Sequence, residues 1–254
     1  MTTTTRNKIY FASDFHLGAP NEIESLKREK LIVKWLDEIK HDAQEIYLVG
    51  DIFDFWFEYR SVIPRGFVRI QGKIAELTDA GIPVNIFTGN HDMWIFDYLP
   101  KELGVTLFRK PIVKEYHGKK FLIGHGDGLG PGDMWYKMLK AVFASKICQW
   151  AFARIHPNFG IGIANAWSRR SRKSNITYDE VFHGNDKEQL ILYCNDYIKQ
   201  DPSIDYFIFG HRHLPLEIKI GEKSKYINLG EWIKYNSYAV IENGEVTLKA
   251  FQKK

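Results

Sequence analysis

Cysteine is scarce: Cys148 and Cys194 are the only two in 254 residues, and they lie far apart. This excludes a disulfide-stapled scaffold and a thiolate-bound metal, and it fits a reducing, cytoplasmic compartment. Long apolar runs are missing as well. No stretch approaches the ~18 uninterrupted apolar residues of a spanning helix, and the polar segment from Met1 to Arg6 leads into nothing that resembles a signal peptide. Charge of one sign is also lacking. With 35 Lys and Arg against 31 Asp and Glu, the formal charge is +4. A field that weak does not mark a nucleic-acid binder.

What is present suits one large domain, or a catalytic domain with an insertion. Residues 8–12, 45–49, 82–87, 120–123, 205–209 and 225–229 read as strands, with a terminal pair near 237–241 and 246–250. Helical spacing places Leu31, Trp35, Leu36 and Ile39 on one helix and predicts another over roughly 67–80. This alternation argues for an α/β layered fold. Five strand-like runs end in polar clusters: Asp14-Phe-His16, Gly50-Asp51, Gly89-Asn90-His91-Asp92, Gly124-His125-Gly126-Asp127 and Gly210-His211-Arg212-His213. Ligand sites of α/β sheets gather at the carboxyl ends of strands. Glycine lets the chain turn sharply there in four of the five.

Five of the nine histidines fall in these clusters, together with Asp14, Asp51, Asp92 and Asp127. Unpaired polar groups are costly to bury, so convergence of this kind calls for a ligand. Imidazole and carboxylate without thiolate suit Mn, Zn or Fe. Asp14 with His16, and His211 with His213, are two apart, which in extended chain points both side chains one way. There are too many donors for one ion. Two metals about 3.5–4 Å apart, bridged by one carboxylate, would use them all in a displacement at phosphorus.

Asp14-x-His16, Gly50-Asp51-x-x-Asp54, Gly89-Asn90-His91-Asp92, Gly124-His125 and Gly210-His211-x-His213 resemble, in order, the motif set of the calcineurin-like metallophosphoesterases. The resemblance implies a β-sandwich flanked by helices. Asp14, His16, Asp51 and His213 would hold one metal, and Asp51, Asn90, His125 and His211 the other, with Asp51 bridging. His91 would touch the scissile phosphate, and Asp92 would orient it.

His125-Gly-Asp127-x-Leu129-x-x-x-Asp133-x-x-Tyr136, Gly210-His-Arg-His-Leu-Pro215 and Asn228-Leu-Gly-Glu-Trp232 further resemble the UDP-2,3-diacylglucosamine pyrophosphatases of lipid A biosynthesis. That family cuts the pyrophosphate of a lipid-linked nucleotide sugar with metal-activated hydroxide. Its products are UMP and 2,3-diacylglucosamine 1-phosphate (lipid X). The resemblance implies two divalent ions, manganese first among them, and peripheral contact with the cytoplasmic face of the inner membrane. A core of 1–132 and 201–254 would carry the metals, with a helical cap inserted at 133–200.

Within the cap, Trp135, Met138, Leu139, Val142, Phe143, Ile147 and Trp150 recur at helical spacing. They read either as a helix packed on the domain or as a cap that shelters acyl chains or dips into a membrane surface. Asp133 and Tyr136 are expected substrate contacts. Arg169, Arg170, Arg172 and Lys173 read either as a solvated face or as a grip on a diphosphate or anionic headgroup. His91 stands where the common lipid A enzyme has arginine. It is either a cationic contact to phosphate or a proton donor, worth roughly 10²–10⁴-fold when the leaving group is poor. A phosphodiesterase or nucleotide pyrophosphatase acting on a soluble substrate therefore stays open, as does a non-catalytic metal-binding scaffold. A nuclease would want a broader basic face.

Overall fold

Two sheets are built from the apolar runs, and both faces of each are covered. In the computed structural model, residues 6–179 and 181–252 are described, apart from the side chains at 169 and 171–179 in one long helix. Arg169, Arg172 and Lys173 therefore lie outside the described side chains.

The first sheet centres on β1 (Lys8–Ala12), which runs parallel to β2 (Ala43–Val49). Beyond β2 come β3 (Val84–Phe87) and β4 (Thr106–Phe108), and on the other side β10 (Ser237–Glu242) and β11 (Glu245–Ala250). The second sheet has the order β5 (Ile112–Tyr116), β6 (Lys119–Gly124), β7 (Ile204–Phe209), β9 (Ser224–Leu229) and β8 (Pro215–Ile220). The strands β1–β2–β3 and β6–β7–β9 are mutually parallel within their sheets.

Side chains alternate between layers, as the two-residue period of a strand requires. Ile9, Phe11, Tyr47, Val49 and Phe87 face Phe121, Ile123, Tyr206, Ile208 and Ile227 between the sheets. Tyr10, Ala12, Ile46 and Leu48 point outward against α1 (Glu22–Ile39) and α2 (Val68–Asp79). Asn21 starts α1 by accepting from the Glu24 amide at 3.0 Å, and Ile32, Trp35, Leu36 and Ile39 bury its inner stripe. Each such side chain contributes roughly 1.5–3 kcal/mol on burial. On the far side, α7 (Gln189–Gln200) covers the second sheet with Leu190, Ile191 and Cys194. The result is a sandwich between helices.

The strands β4, β5 and β8 and the short helix α3 (Tyr98–Leu103) were not predicted. β4, β5 and β8 end their sheets; β5 carries Lys114 and Glu115, and β8 opens on Pro215, which an edge tolerates.

The segment 133–200 divides in two. The helices α4 (Met134–Ala144) and α5 (Lys146–Phe152) bury none of their residues, whereas α7 belongs to the core. The predicted stripe from Trp135 to Trp150 is not one helix. Ser145 is extended, and its hydroxyl accepts from the Cys148 amide at 3.2 Å, so the chain ends one helix there and caps the next. After α5, α6 (Pro157–Asp179) returns toward the sandwich. Among the described residues, no helix is long and apolar enough to cross a membrane.

Candidate metal centre

The loops leaving β1, β2, β3, β6 and β7 meet at one rim of the sandwich. Asp14, His16, Asp51, His211 and His213 all have left-handed backbones there, with φ between 44° and 66°. Shared side-chain direction within each x-pair therefore comes from this turned backbone, not from the extended chain that the spacing suggested. Such φ values are rare outside glycine and tend to cluster at functional sites.

The glycines also serve differently from expectation. Gly50 turns the chain with φ +84°, but Gly89 and Gly210 are needed for close approach. A Cβ at Gly89 would lie 2.2 Å from Asp51 Oδ1, and one at Gly210 would lie 2.5 Å from Asp14 Oδ2.

Among the described residues three groups of donors form: two share Asp51, and a third brings His16, Asp54 and His91 together. Asp14, His16, Asp51 and His213 bring their donor atoms within 4.8 Å of one another, and so do Asp51, His125 and His211. In the first group His16 Nε2 and His213 Nε2 lie 3.1 Å apart, and Asp14 Oδ1 is 3.2 Å from His213 Nε2. In the second, His125 Nε2 is 3.4 Å from both Asp51 Oδ2 and Asn90 Oδ1. Asp51 Oδ2 is also 3.8 Å from His16 Nε2, so one oxygen faces both groups.

These donors are held by their other atoms. Asp14 Oδ2 accepts from the His211 amide at 3.0 Å, and Asp51 Oδ1 accepts from the His91 amide at 2.8 Å. His125 Nδ1 lies 2.8 Å from the Val49 carbonyl, which fixes that nitrogen as the donor and turns the lone pair of Nε2 toward Asp51. What remains is the test of fit for a cation. Asp14 Oδ1 and Asp51 Oδ2 are buried without a hydrogen-bond partner. An anionic oxygen so placed is strongly disfavoured unless a positive charge sits against it.

The electrostatics agree. Burial opposes the charged form of Asp14, but contacts with His16 and His213 hold its carboxyl well below the usual range. Burial likewise opposes charge on His125, yet Asp51 outweighs it and holds the imidazole up at about 10. Without a metal, a proton on His125 partly offsets the paired carboxylates; ligation would displace it. Burial pushes His211 down to about 4, leaving it in the neutral form a ligand needs.

The remaining predicted residues separate. His91 faces the same rim, and among the described contacts Asp92 makes no hydrogen bond with it. Asp92 is fully buried and accepts from the amides of Gly89 and Ile52 at 2.7 and 2.8 Å, which ties two loops together. Burial and the neighbouring Asp51 push it up to about 7. His91 Nδ1 instead lies 3.0 Å from the Asp54 carbonyl and 3.1 Å from Ser168 Oγ of α6. Ser168 carried no signal in the sequence. Asp54 did, as the last residue of the Gly50-Asp51-x-x-Asp54 spacing.

Tyr136 donates to Asp127 Oδ2 at 3.0 Å, and Lys140 pairs with the same oxygen at 2.6 Å. Beside His125 this leaves a cavity of about 160 Å³ whose wall includes Arg109, Lys110 and Lys140. Asp133 and Arg170 are exposed, and Asp133 begins α4 without joining any donor group.

The calcineurin-like phosphoesterase family model matches residues 7–215. A UDP-2,3-diacylglucosamine hydrolase of Porphyromonas gingivalis is 38% identical over 97% of this chain and 98% of its own length. One from Pseudomonas fluorescens is 27% identical over 96% and 95%. Among solved structures, the phosphoesterase Yfce of E. coli covers 96% of the chain at 14% identity and a TM-score of 0.44, too loose a superposition to add to the fold described above.

Proposed function

The chain belongs to the calcineurin-like phosphoesterases, a metal-dependent hydrolase family, and from this premise we propose that it hydrolyses the pyrophosphate bond of UDP-2,3-diacylglucosamine. The products would be UMP and 2,3-diacylglucosamine 1-phosphate. One observation carries the chemistry: Asp14 Oδ1 and Asp51 Oδ2 are buried, unpartnered and surrounded by imidazole nitrogens. The substrate class rests on likeness to enzymes of that name along nearly the whole chain.

In this reading Asp14, His16, Asp51 and His213 hold one divalent ion and Asp51, Asn90, His125 and His211 a second, manganese being the first choice. The ions would supply Lewis acidity at phosphorus and a reactive nucleophile from water at neutral pH. The chain's own residues do the rest. Val49 and the amides of His91 and His211 fix the donors in place before substrate arrives. His91 meets the phosphate from the side opposite its Nδ1 partners, and basic residues beside His125 line a path for a second anionic group. Asp92 serves by locking the β2 and β3 loops together.

The exposed apolar faces of α4–α6, among them Trp135, Ile147, Phe159 and Trp167, would meet acyl chains or the inner-membrane surface. Purified protein loaded with Mn²⁺ and given the lipid nucleotide in detergent micelles should release UMP. Release of no UMP by protein that still binds the metal would overturn the substrate. Turnover confined to soluble dinucleotides or bis-p-nitrophenyl phosphate would point to the diesterase that His91 leaves open.

A further inference from the structure

We infer that Ser168, on the cap helix α6, is a positioning residue that sets the tautomer and orientation of His91 and so makes the active site depend on a seated cap. The inference rests on the reading above only in taking His91 to face the phosphate.

Ser168 is buried, 5% exposed, on an inserted segment whose preceding helices α4 and α5 bury nothing. Its hydroxyl stands between two groups of the core, 2.9 Å from Asp54 Oδ2 and 3.1 Å from His91 Nδ1. The proton assignment follows from what each partner can do. The Ser168 hydroxyl donates its single proton to Asp54 Oδ2. Toward His91 the hydroxyl then offers a lone pair. The Asp54 carbonyl, 3.0 Å from the same nitrogen, also only accepts. Both neighbours therefore demand a hydrogen on Nδ1, which it shares between them. In the neutral ring that leaves Nε2 as the unprotonated nitrogen, and Nε2 is the atom left to face substrate.

Asp54 extends the chain inward. Its other oxygen, Oδ1, lies 3.6 Å from His16 Nδ1, so one carboxylate spans the Ser168 contact and a residue of the first donor group. A cap that lifted away would remove one of two acceptors from His91 and the only cap hydroxyl on Asp54 among the described contacts. The donor groups themselves would remain whole, since no described residue of α4–α6 belongs to them.

The test compares Ser168→Ala, Ser168→Thr, His91→Gln and the Ser168→Ala/His91→Gln double variant, all as full-length protein. With a diamagnetic ion bound (Zn²⁺ or Mg²⁺), the ¹⁵N resonances of His91 should report a fixed Nδ1–H tautomer. In Ser168→Ala they should move toward the tautomer average, and Ser168→Thr should restore them. Loss of an orienting partner typically lowers activity about 10- to 100-fold. A loss of that size in kcat/KM is expected for Ser168→Ala on whichever phosphoester the protein turns over, with metal content unchanged. The double variant should be no worse than His91→Gln, because Ser168 acts through His91. An unmoved tautomer in Ser168→Ala, or losses that multiply in the double variant, would overturn the inference. Failure of the lipid nucleotide as substrate would not touch the tautomer readout, so the two readings fail separately.

Discussion

The rim of the sandwich and the cap above it are built on opposite terms. At the rim, backbones are held in left-handed turns, glycines admit carboxylates at distances no Cβ would permit, and donor groups are fixed by amides and carbonyls. In the cap, Met134, Trp135, Ile147 and Phe159 are each more than 70% exposed. Among the described residues the contacts that fasten the segment include Trp94 Nε1 to the Phe143 carbonyl, Phe152 among Phe57 and Trp94, Tyr136 and Lys140 on Asp127, and Ser168. Strain and polar burial are concentrated where donors must not move. Apolar exposure is concentrated in the cap, on Met134, Trp135, Ile147 and Phe159 among others. A structure divided this way should lose chemistry when the rim is touched and keep it when the cap's outer face is touched.

The sharpest way to break that contrast is at the shared carboxylate. Asp51→Ala should lower turnover by at least about a thousandfold, since several kcal/mol of metal-derived stabilisation are at stake and 1.36 kcal/mol is tenfold in rate. Gly89→Ala should approach the same loss without removing a donor, because its Cβ would fall 2.2 Å from Asp51 Oδ1. Steady-state kinetics with metal analysis checks both. Near-normal turnover in either variant would mean that Asp51 does not occupy the centre assigned to it.

Next in size is the junction between rim and cap return. Arg212 sits between His211 and His213, and its Nε donates to Glu188 Oε2 at 2.8 Å at the start of α7, while a second nitrogen reaches the Val181 carbonyl. Both partners of the pair are buried. Glu188→Gln should cost about 3 kcal/mol, because it withdraws a buried carboxylate from the guanidinium. Denaturant unfolding reads this directly, and a change under about 1 kcal/mol would place the junction among surface pairs. Smaller again is the effect of the ions on folding. A ligand at 100 times its Kd stabilises by about 2.7 kcal/mol, or roughly 5–10 °C in a chain of this size. Chelation should lower Tm by that much, and Mn²⁺ should restore it in wild type but not in Asp51→Ala.

The same contrast explains what the sequence made legible. The five polar clusters stood out because ligation restricts residue type at fixed offsets, and the strands before them stood out because both their faces are buried and they read as unbroken apolar runs. Edge strands such as β5 and β8, half solvated, left no such run. Two features of the rim have a different cause from the one the sequence suggested: the x-pairs converge through turned backbone, and Gly89 and Gly210 make room instead of turning. The resemblance implied that Asp92 orients His91, but a motif says little about which backbone amides a carboxylate will meet. Ser168 was invisible because its partners are 114 and 77 residues away. A lone serine on a polar helix segment carries no period and no motif.

The smallest expected effect is the one that separates the regions most cleanly. Trp135 and Ile147 are 73% and 80% exposed and make no contribution to the core. Surface changes of that kind usually stay within about 0.5 kcal/mol. The Trp135→Ala/Ile147→Ala variant should therefore keep its Tm and its turnover of bis-p-nitrophenyl phosphate, which needs only the rim. Turnover of the lipid nucleotide presented in vesicles should nevertheless fall severalfold, because the apolar area that would meet acyl chains or bilayer is reduced. If both substrates suffer alike, the outer cap face is coupled to the metal centre as tightly as Ser168 is, and the division between rim and cap fails. If neither suffers, those side chains face something other than lipid, and the apolar exposure of the cap needs a different partner.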